Sequence, residues 1–246
     1  METFLFLDLD NTVFRTARRA TDELGKVAAL SPDGSPGSFM SSKQQAILER
    51  ISQDTRTIPT TGRTTRAFQR VTIPFHDHAI CSHGGIILNP GGEPNPEWIK
   101  HIREQVHQSE SAFNAADHLL NKLGRDISER ISPRIVSDQS LPMYLTANHP
   151  EMNPPELLQL QKCLEATLPE GFWIQYNGSE LALIPEFITK SSAVRFLKQH
   201  LNISNAITIG FGDSLGDAGF LGECDYILLP GQSQLGSSVR SLSDEL

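Results

Sequence analysis

The feature that most restricts what this chain can fold into is a short apolar run stopped by an acid. Phe4 to Leu7 is continuously apolar and ends at Asp8. A run of that length without alternation reads as a strand buried on both faces, as in a parallel sheet. The pattern recurs. Thr57 to Thr60 follows an expected helix over Ser42 to Gln53 and runs into Thr61-Gly62-Arg63. Ala206 to Ile209 follows an expected helix over Ser191 to His200 and runs into Gly210-Phe211-Gly212-Asp213. Helices alternating with short apolar strands indicate βαβ units, so the expected class is α/β with a doubly wound, mostly parallel sheet.

Between these halves the composition changes. Ser31 to Ser42 is rich in Pro, Gly and Ser and is expected to be a loop or flap. Asn89 to Pro96 is a second such stretch, followed by an amphipathic pattern that predicts one long helix from about Glu97 to Leu123. Strand-like pieces follow at 133–136, 142–147, 172–176 and 180–184, with a helix near 155–168. The expectation is a Rossmann-like core over 1–88 and 186–246, split by a smaller inserted α/β domain over 89–185. A chain of 246 residues has room for both, at roughly 100–200 residues per domain.

The polar residues fall in informative places. Asp8, Asp10, Thr61, Asp213 and Asp217 all sit at or just beyond the carboxyl ends of expected parallel strands, the edge where open α/β sheets bind ligands. Were the strands neighbours, four carboxylates and a hydroxyl would meet in one crevice, and only a cation would make that tolerable. Oxygen donors of this kind suggest Mg²⁺, which commonly bridges to a substrate phosphate. The net charge of −8, from 21 Lys and Arg against 29 Asp and Glu, argues against nucleic-acid or anionic-membrane partners. It leaves room for a small anionic substrate held by a metal. The three cysteines show no CxxC spacing, and the METFLFLDLDNT start has neither a basic n-region nor an apolar span, so a cytoplasmic location is expected.

Four motifs now stand in order: Asp8-Leu9-Asp10-Asn11-Thr12, Thr61-Gly62-Arg63, Lys190 within ITKSSAV, and Gly212-Asp213-Ser214-Leu215-Gly216-Asp217. In order, spacing and strand context the chain resembles the haloacid dehalogenase superfamily of phosphatases. The position of the insert resembles the subclass with an α/β cap between the second and third motifs, which includes Cof-like, sucrose-phosphate, trehalose-phosphate and mannosyl-phosphoglycerate phosphatases. The resemblance implies a nucleophilic Asp8 that forms an aspartyl-phosphate and an Asp10 that serves as general acid and then base. It implies phosphate binding by Thr61, Gly62 and Lys190, and a Mg²⁺ site built from Asp8, Asp10, Asp213 and Asp217, with Asp10 contributing its backbone carbonyl. Thr12 and Ser214 would support these groups. His83, in Ile80-Cys81-Ser82-His83-Gly84-Gly85, replaces the Asn usual in that subclass and could line the cleft.

Plainer readings compete at several positions. Taken alone, Asp8 would be a turn or cap residue and Lys190 a solvated lysine at a helix start; the order of the four motifs argues otherwise. Thr61 could simply cap a helix starting near Arg63. Arg63 reads as a structural ion-pair residue, and His76 and His78 as solvated flanks of a loop. Gly210 to Gly216 has dinucleotide-loop spacing, but Asp213 would face the pyrophosphate and no acidic ribose ligand follows at the next strand. In the insert, Arg134, Tyr144, Gln175 and Asn177 are substrate-facing candidates, although strand alternation could equally turn each to solvent. The implied activity is hydrolysis of a small phosphorylated metabolite, a sugar phosphate first among them. The alternatives are a phosphotransferase or phosphomutase on the same scaffold, or a noncatalytic ligand-binding module.

Overall fold

The computed structural model describes residues 1–19 and 25–244. The first half contributes β1 (Thr3–Leu7), β2 (Arg15–Thr16), β3 (Lys26–Leu30), β4 (Pro36–Met40), α1 (Ser42–Ser52), β5 (Arg56–Pro59), α2 (Thr65–Phe68), β6 (Ala79–Cys81) and β7 (Ile86–Leu88). Then follow α3 (Pro96–Gln108), α4 (Glu110–Ile127), β8 (Ser132–Asp138), β9 (Leu141–Asn148), α5 (Pro155–Thr167), β10 (Phe172–Tyr176) and β11 (Glu180–Pro185). The chain ends with α6 (Lys190–His200), β12 (Ile207–Phe211), α7 (Ala218–Leu221), β13 (Tyr226–Leu228) and α8 (Gln234–Asp244). These segments form two compact units, one of Met1–Asn95 with Thr189–Leu246 and the other Pro96–Ile188.

The α/β expectation is met in the first unit. Its main sheet has the order β13-β12-β1-β5, and every pairing in it is parallel. β1 lies inside that sheet, and Phe4, Leu5, Phe6 and Leu7 are all fully buried, which is why the run carries no polar alternation. The chain winds from β1 outward to β5 on one side and returns to β12 on the other. The carboxyl ends of β1, β5 and β12 therefore meet at one edge, where Asp8 N–H donates to Phe211 O (2.8 Å) and Thr60 N–H to Leu7 O (2.7 Å). α1 starts in a capping box: the Ser41 hydroxyl accepts from Gln44 N–H (3.3 Å) while Gln44 Oε1 accepts from Ser41 N–H (3.0 Å). The Gln44 amide also donates to Thr12 O (3.3 Å), tying the helix start to the loop after β1.

Two expectations need correction. The Ser31 to Ser42 stretch is not wholly a loop. Only a tight turn at 31–35 interrupts it, and Pro36–Met40 forms the central strand of an antiparallel β2-β4-β3 sheet. Gly and Ser on this strand look turn-like by composition, yet Ser38 and Met40 are buried by pairing across the sheet. The single long helix of the insert is two, α3 and α4, broken at Ser109. Ser109 leaves the helical range (φ −97°, ψ 6°), although its N–H (3.0 Å) and hydroxyl (2.8 Å) both still donate to Gln105 O.

The second unit has its own antiparallel sheet, order β10-β11-β9-β8. One face of that sheet, with Leu145, Ala147, Leu181 and Leu183, packs against Phe113, Leu120, Leu157 and Leu164 of the helices. Among the described residues no helix is long and apolar enough to cross a membrane.

Candidate active site

The loops after β1, β5 and β12 and the start of α6 position the site. Asn11 takes a left-handed conformation (φ 66°), which turns the chain back after Asp10 and brings Thr12 under Asp8. The Thr12 hydroxyl lies 2.8 Å from Asp8 Oδ2 and 3.2 Å from Asp213 Oδ1. Lys190 opens α6, capped by the Thr189 hydroxyl, which accepts from Ser192 N–H (3.1 Å). Gly84 must be glycine here: its φ is 107°, and a Cβ on it would lie 2.1 Å from Thr189 O. Gly212 lets the last loop close, since a Cβ there would approach Asp217 Cβ to 2.8 Å.

At the centre, Lys190 Nζ donates to Asp8 Oδ1 and to Asp217 Oδ1, each at 2.6 Å. The other oxygen of Asp217 accepts from the Ser214 hydroxyl (2.7 Å), Ser214 N–H (2.9 Å) and Asp213 N–H (3.1 Å). Oxygens of Asp8, Asp213 and Asp217 lie within 4.8 Å of one another. One ammonium thus faces three carboxylates. Burial, reinforced by Asp217, pushes the Asp8 carboxyl well above its usual range against the pull of Lys190. Asp213 is pushed up to about 6, by burial first and then by Asp217. Asp217 goes the other way: burial opposes its charge, but Lys190 and the Ser214 donors outweigh it and hold it low. Lys190 is raised because the Asp217 and Asp8 charges outweigh the cost of its burial. The all-oxygen donor set and its excess negative charge fit a hard divalent cation.

Asp10 does not join this cluster. The four carboxylates expected in one crevice are three, because Asp10 turns to Arg63, each of its oxygens accepting one bond, from Nε and Nη2, at 2.7 Å. Thr61 is buried at the end of β5, but it does not cap a helix at Arg63. Its hydroxyl accepts from Arg63 N–H (3.2 Å), and α2 begins at Thr65, capped by the Thr64 hydroxyl. Gly62 makes room for the His83 imidazole, whose Cε1 would lie 2.4 Å from a Cβ at that position. His83 is a further left-handed residue (φ 58°), and its imidazole is pushed down to about 3, by burial and then by Lys190. It is therefore neutral. His76 is exposed as expected, but His78 is buried and its Nδ1 lies 2.8 Å from Asp77 Oδ1, so it is not a solvated flank.

The four candidates of the second unit lie on or beside the sheet face turned away from its helices. Arg134 is paired with Thr146, Thr146 with Ala182, and Ala182 with Gln175, a row of cross-strand neighbours that share one face. Arg134 is exposed, with Nε 3.2 Å from the Thr146 hydroxyl. Tyr144 is buried, which raises its hydroxyl pKa, with Glu180 adding to the rise. The Gln175 side-chain oxygen is buried and has no hydrogen-bond partner among the described residues. Asn177 is exposed just beyond β10. Sequence reasoning passed over Glu180, which lies on the same face 3.8 Å from Arg134 Nη2 and whose carboxyl burial raises. The signal was available: Leu181 and Leu183 alternate with it into the helix-packed core.

A family profile describing haloacid dehalogenase-like hydrolases matches residues 150–228, a segment holding Lys190, Asp213 and Asp217. The resemblance to the haloacid dehalogenase superfamily holds. That family is one of hydrolases, and the site described above has the chemistry of an enzyme. No curated protein matches the sequence. Among solved structures the fold is similar to that of a sucrose-phosphatase from Synechocystis, bound to sucrose and phosphate, with a TM-score of 0.54 and 16% identity over 99% of this chain and 97% of the other. It is also similar to the C-terminal domain of a Candida albicans trehalose-6-phosphate phosphatase, with a TM-score of 0.59 and 18% identity over 90% of this chain and 72% of the other. A Thermoplasma acidophilum protein shares the fold at a TM-score of 0.54 and 15% identity, over 97% and 88%.

Proposed function

We propose that the chain is a Mg²⁺-dependent phosphomonoesterase that acts on a small phosphorylated metabolite, a sugar phosphate, through an aspartyl-phosphate on Asp8. The observation that carries this reading is the placement of Lys190 between Asp8 and Asp217, with Asp213 completing three oxygen donors. A carboxylate beside a lysine and a divalent-cation donor set suits attack on phosphorus, where positioning and charge neutralisation dominate. Asp8, Asp213 and Asp217 would hold Mg²⁺, which when bound supplies charge neutralisation for the phosphoryl group.

Asp8 attacks phosphorus as the ester P–O bond breaks, and the departing oxygen takes a proton from Asp10. Asp10, then a carboxylate, removes a proton from the water that attacks the aspartyl-phosphate, freeing Asp8 and inorganic phosphate. Thr61 and the backbone at Gly62 hold phosphoryl oxygens, and Lys190 offsets charge on Asp8 and the phosphate. Thr12 and Ser214 keep the carboxylates in place. The second unit is proposed to be a cap that sets substrate choice. Arg134, Tyr144, Gln175 and Glu180 offer the kinds of polar group that bind hydroxyls, and Gln175 holds a buried acceptor with no partner of its own among the described residues. The similarity to a sucrose-phosphatase and to a trehalose-6-phosphate phosphatase supports the same substrate class.

Purified protein is expected to hydrolyse p-nitrophenyl phosphate with Mg²⁺ and to lose that activity when a chelator removes the metal; full turnover in excess chelator would refute the metal-dependent reading. Because a metal ligand must be deprotonated, Mg²⁺ binding is expected to weaken as pH falls below about 6, where Asp213 takes up its proton. The Mg²⁺ concentration for half-maximal activity, measured from pH 5 to 8, should rise in the acid limb by up to about tenfold per pH unit for each of the raised ligands Asp8 and Asp213 that must lose a proton.

A further inference from the structure

We infer that Arg63 is a positioning residue for leaving-group protonation: its guanidinium fork fixes the plane of the Asp10 carboxylate beside the nucleophile. The inference rests on the phosphatase reading and deepens it. Two parallel hydrogen bonds of 2.7 Å, from Nε to Oδ2 and from Nη2 to Oδ1, define the orientation of a carboxylate that one contact would leave free to rotate. Arg63 is itself held from several sides. Its Cζ stands 5.0 Å from the Phe14 ring centre, and Phe14 is fully buried. Nη2 also reaches the Ser38 hydroxyl at 3.4 Å, on the buried side of β4. Its main chain is pinned too: Arg63 N–H donates to the Thr61 hydroxyl (3.2 Å), and Arg63 O accepts from Ser82 N–H (2.7 Å).

One residue thus connects the phosphate-binding turn, the β4 strand and the candidate acid. The connection is compatible with proton transfer. A carboxylate has about four lone-pair sites, and the fork uses one on each oxygen, which leaves one on each to meet the leaving group or water. Asp10 retains the access that this needs, since its side chain is 41% exposed while that of Arg63 is only 16% exposed. Lysine cannot take the place of arginine, because an ammonium is a point charge without a planar fork.

The test compares kcat/KM for glycerol phosphate, a poor leaving group, with that for p-nitrophenyl phosphate, whose phenolate departs without a proton. Wild type, Arg63→Met, Arg63→Lys, Asp10→Asn and the Arg63→Met/Asp10→Asn double variant are measured alongside Asp8→Asn, with thermal melts to confirm folding. Arg63→Met and Arg63→Lys should each lose about 10²-fold on glycerol phosphate and no more than about threefold on the aryl ester, the pattern of a lost general acid. The double variant should lose no more than Asp10→Asn alone, because the two residues act as one unit. Equal losses on both esters, or additive losses in the double variant, would overturn the role of Arg63. Should Arg63→Met fail to fold, Arg63→Lys decides by the same comparison. Wild-type activity in Asp8→Asn would instead overturn the phosphatase reading and this inference with it, whereas an Asp8-dependent enzyme with equal losses overturns this inference alone.

Discussion

Asp8→Asn is expected to remove phosphatase activity, with kcat down by at least about 10⁴-fold, while the fold survives. The amide keeps the shape of the carboxylate: its one oxygen can accept from Lys190, which lies 2.6 Å from Asp8 Oδ1, and its NH2 can donate to the Thr12 hydroxyl, which lies 2.8 Å from Asp8 Oδ2. It cannot form a stable acyl-phosphate under these conditions, so no partial route through the same atom remains. The same change should affect stability with the opposite sign. Burial and the neighbouring Asp217 and Asp213 push the Asp8 carboxyl well above its usual range, so its ionised form opposes folding in the metal-free protein. A group raised in this way costs its full amount above its folded pKa, and the cost declines as pH falls from there until it vanishes below the unfolded value. The Asn variant removes that cost at neutral pH. Without added metal it should melt above the wild type, and with Mg²⁺ the gap should narrow or reverse as the cation stabilises the three-carboxylate site more than a two-carboxylate one. Calorimetry with and without Mg²⁺, beside a turnover assay, reads both halves. Retained turnover would exclude Asp8 as nucleophile.

Much of this arrangement could be read from the order of residues along the chain, and the part that could not has a physical reason. β1 was legible because a strand buried on both faces has no polar residues to confuse its pattern, and Phe4 to Leu7 are all fully buried. Asp8, Asp213 and Asp217 were legible because a parallel sheet brings the ends of its strands to one edge whatever their separation in sequence. β4 was not, since Pro36, Gly37 and Ser38 have the composition of a turn and become a strand only through pairing with Lys26–Leu30 and Arg15–Thr16. The break at Ser109 was hidden because it lies in the backbone angles of one residue, while the amphipathic pattern continues on both sides. The orientation of Asp10 was hidden for a different reason. Its partner lies across the sheet edge on another loop, and although Arg63 reads correctly as an ion-pair residue, spacing along the chain cannot name which acid it pairs with. Glu180 was hidden because an acid at the start of a strand reads as a solvated edge residue, although its alternation with Leu181 and Leu183 marks the same sheet face.

Removal of Lys190 should do the most damage to stability, and should cost activity as well. Its side chain is 9% exposed, and the two carboxylates it joins are 8% and 1% exposed at Asp8 and Asp217. Lys190→Met keeps the length of the stem and its approach to the Phe220 ring, over which the ammonium now lies at 5.5 Å, but leaves three clustered carboxylates with no ammonium among them. Breaking a buried pair from one side costs about 3–5 kcal/mol, because the remaining charge is left uncompensated. For a chain of this size that lowers the melting temperature by roughly 6–20 °C. The loss should be smaller in saturating Mg²⁺, since a cation held by the same carboxylates offsets the same repulsion. It should also be smaller in the Lys190→Met/Asp8→Asn double variant, where one of the stranded charges is gone. Activity should not recover with stability. A lysine that shares its proton donors between the nucleophile and the metal-binding acid holds Asp8 in register for attack, and loss of one such preorganised donor typically costs about 10²–10³-fold in kcat. A Lys190→Met protein that melts like the wild type without metal would show that the carboxylates repel one another far less than their separations imply. One that turned over at the wild-type rate would remove Lys190 from the phosphoryl-binding set.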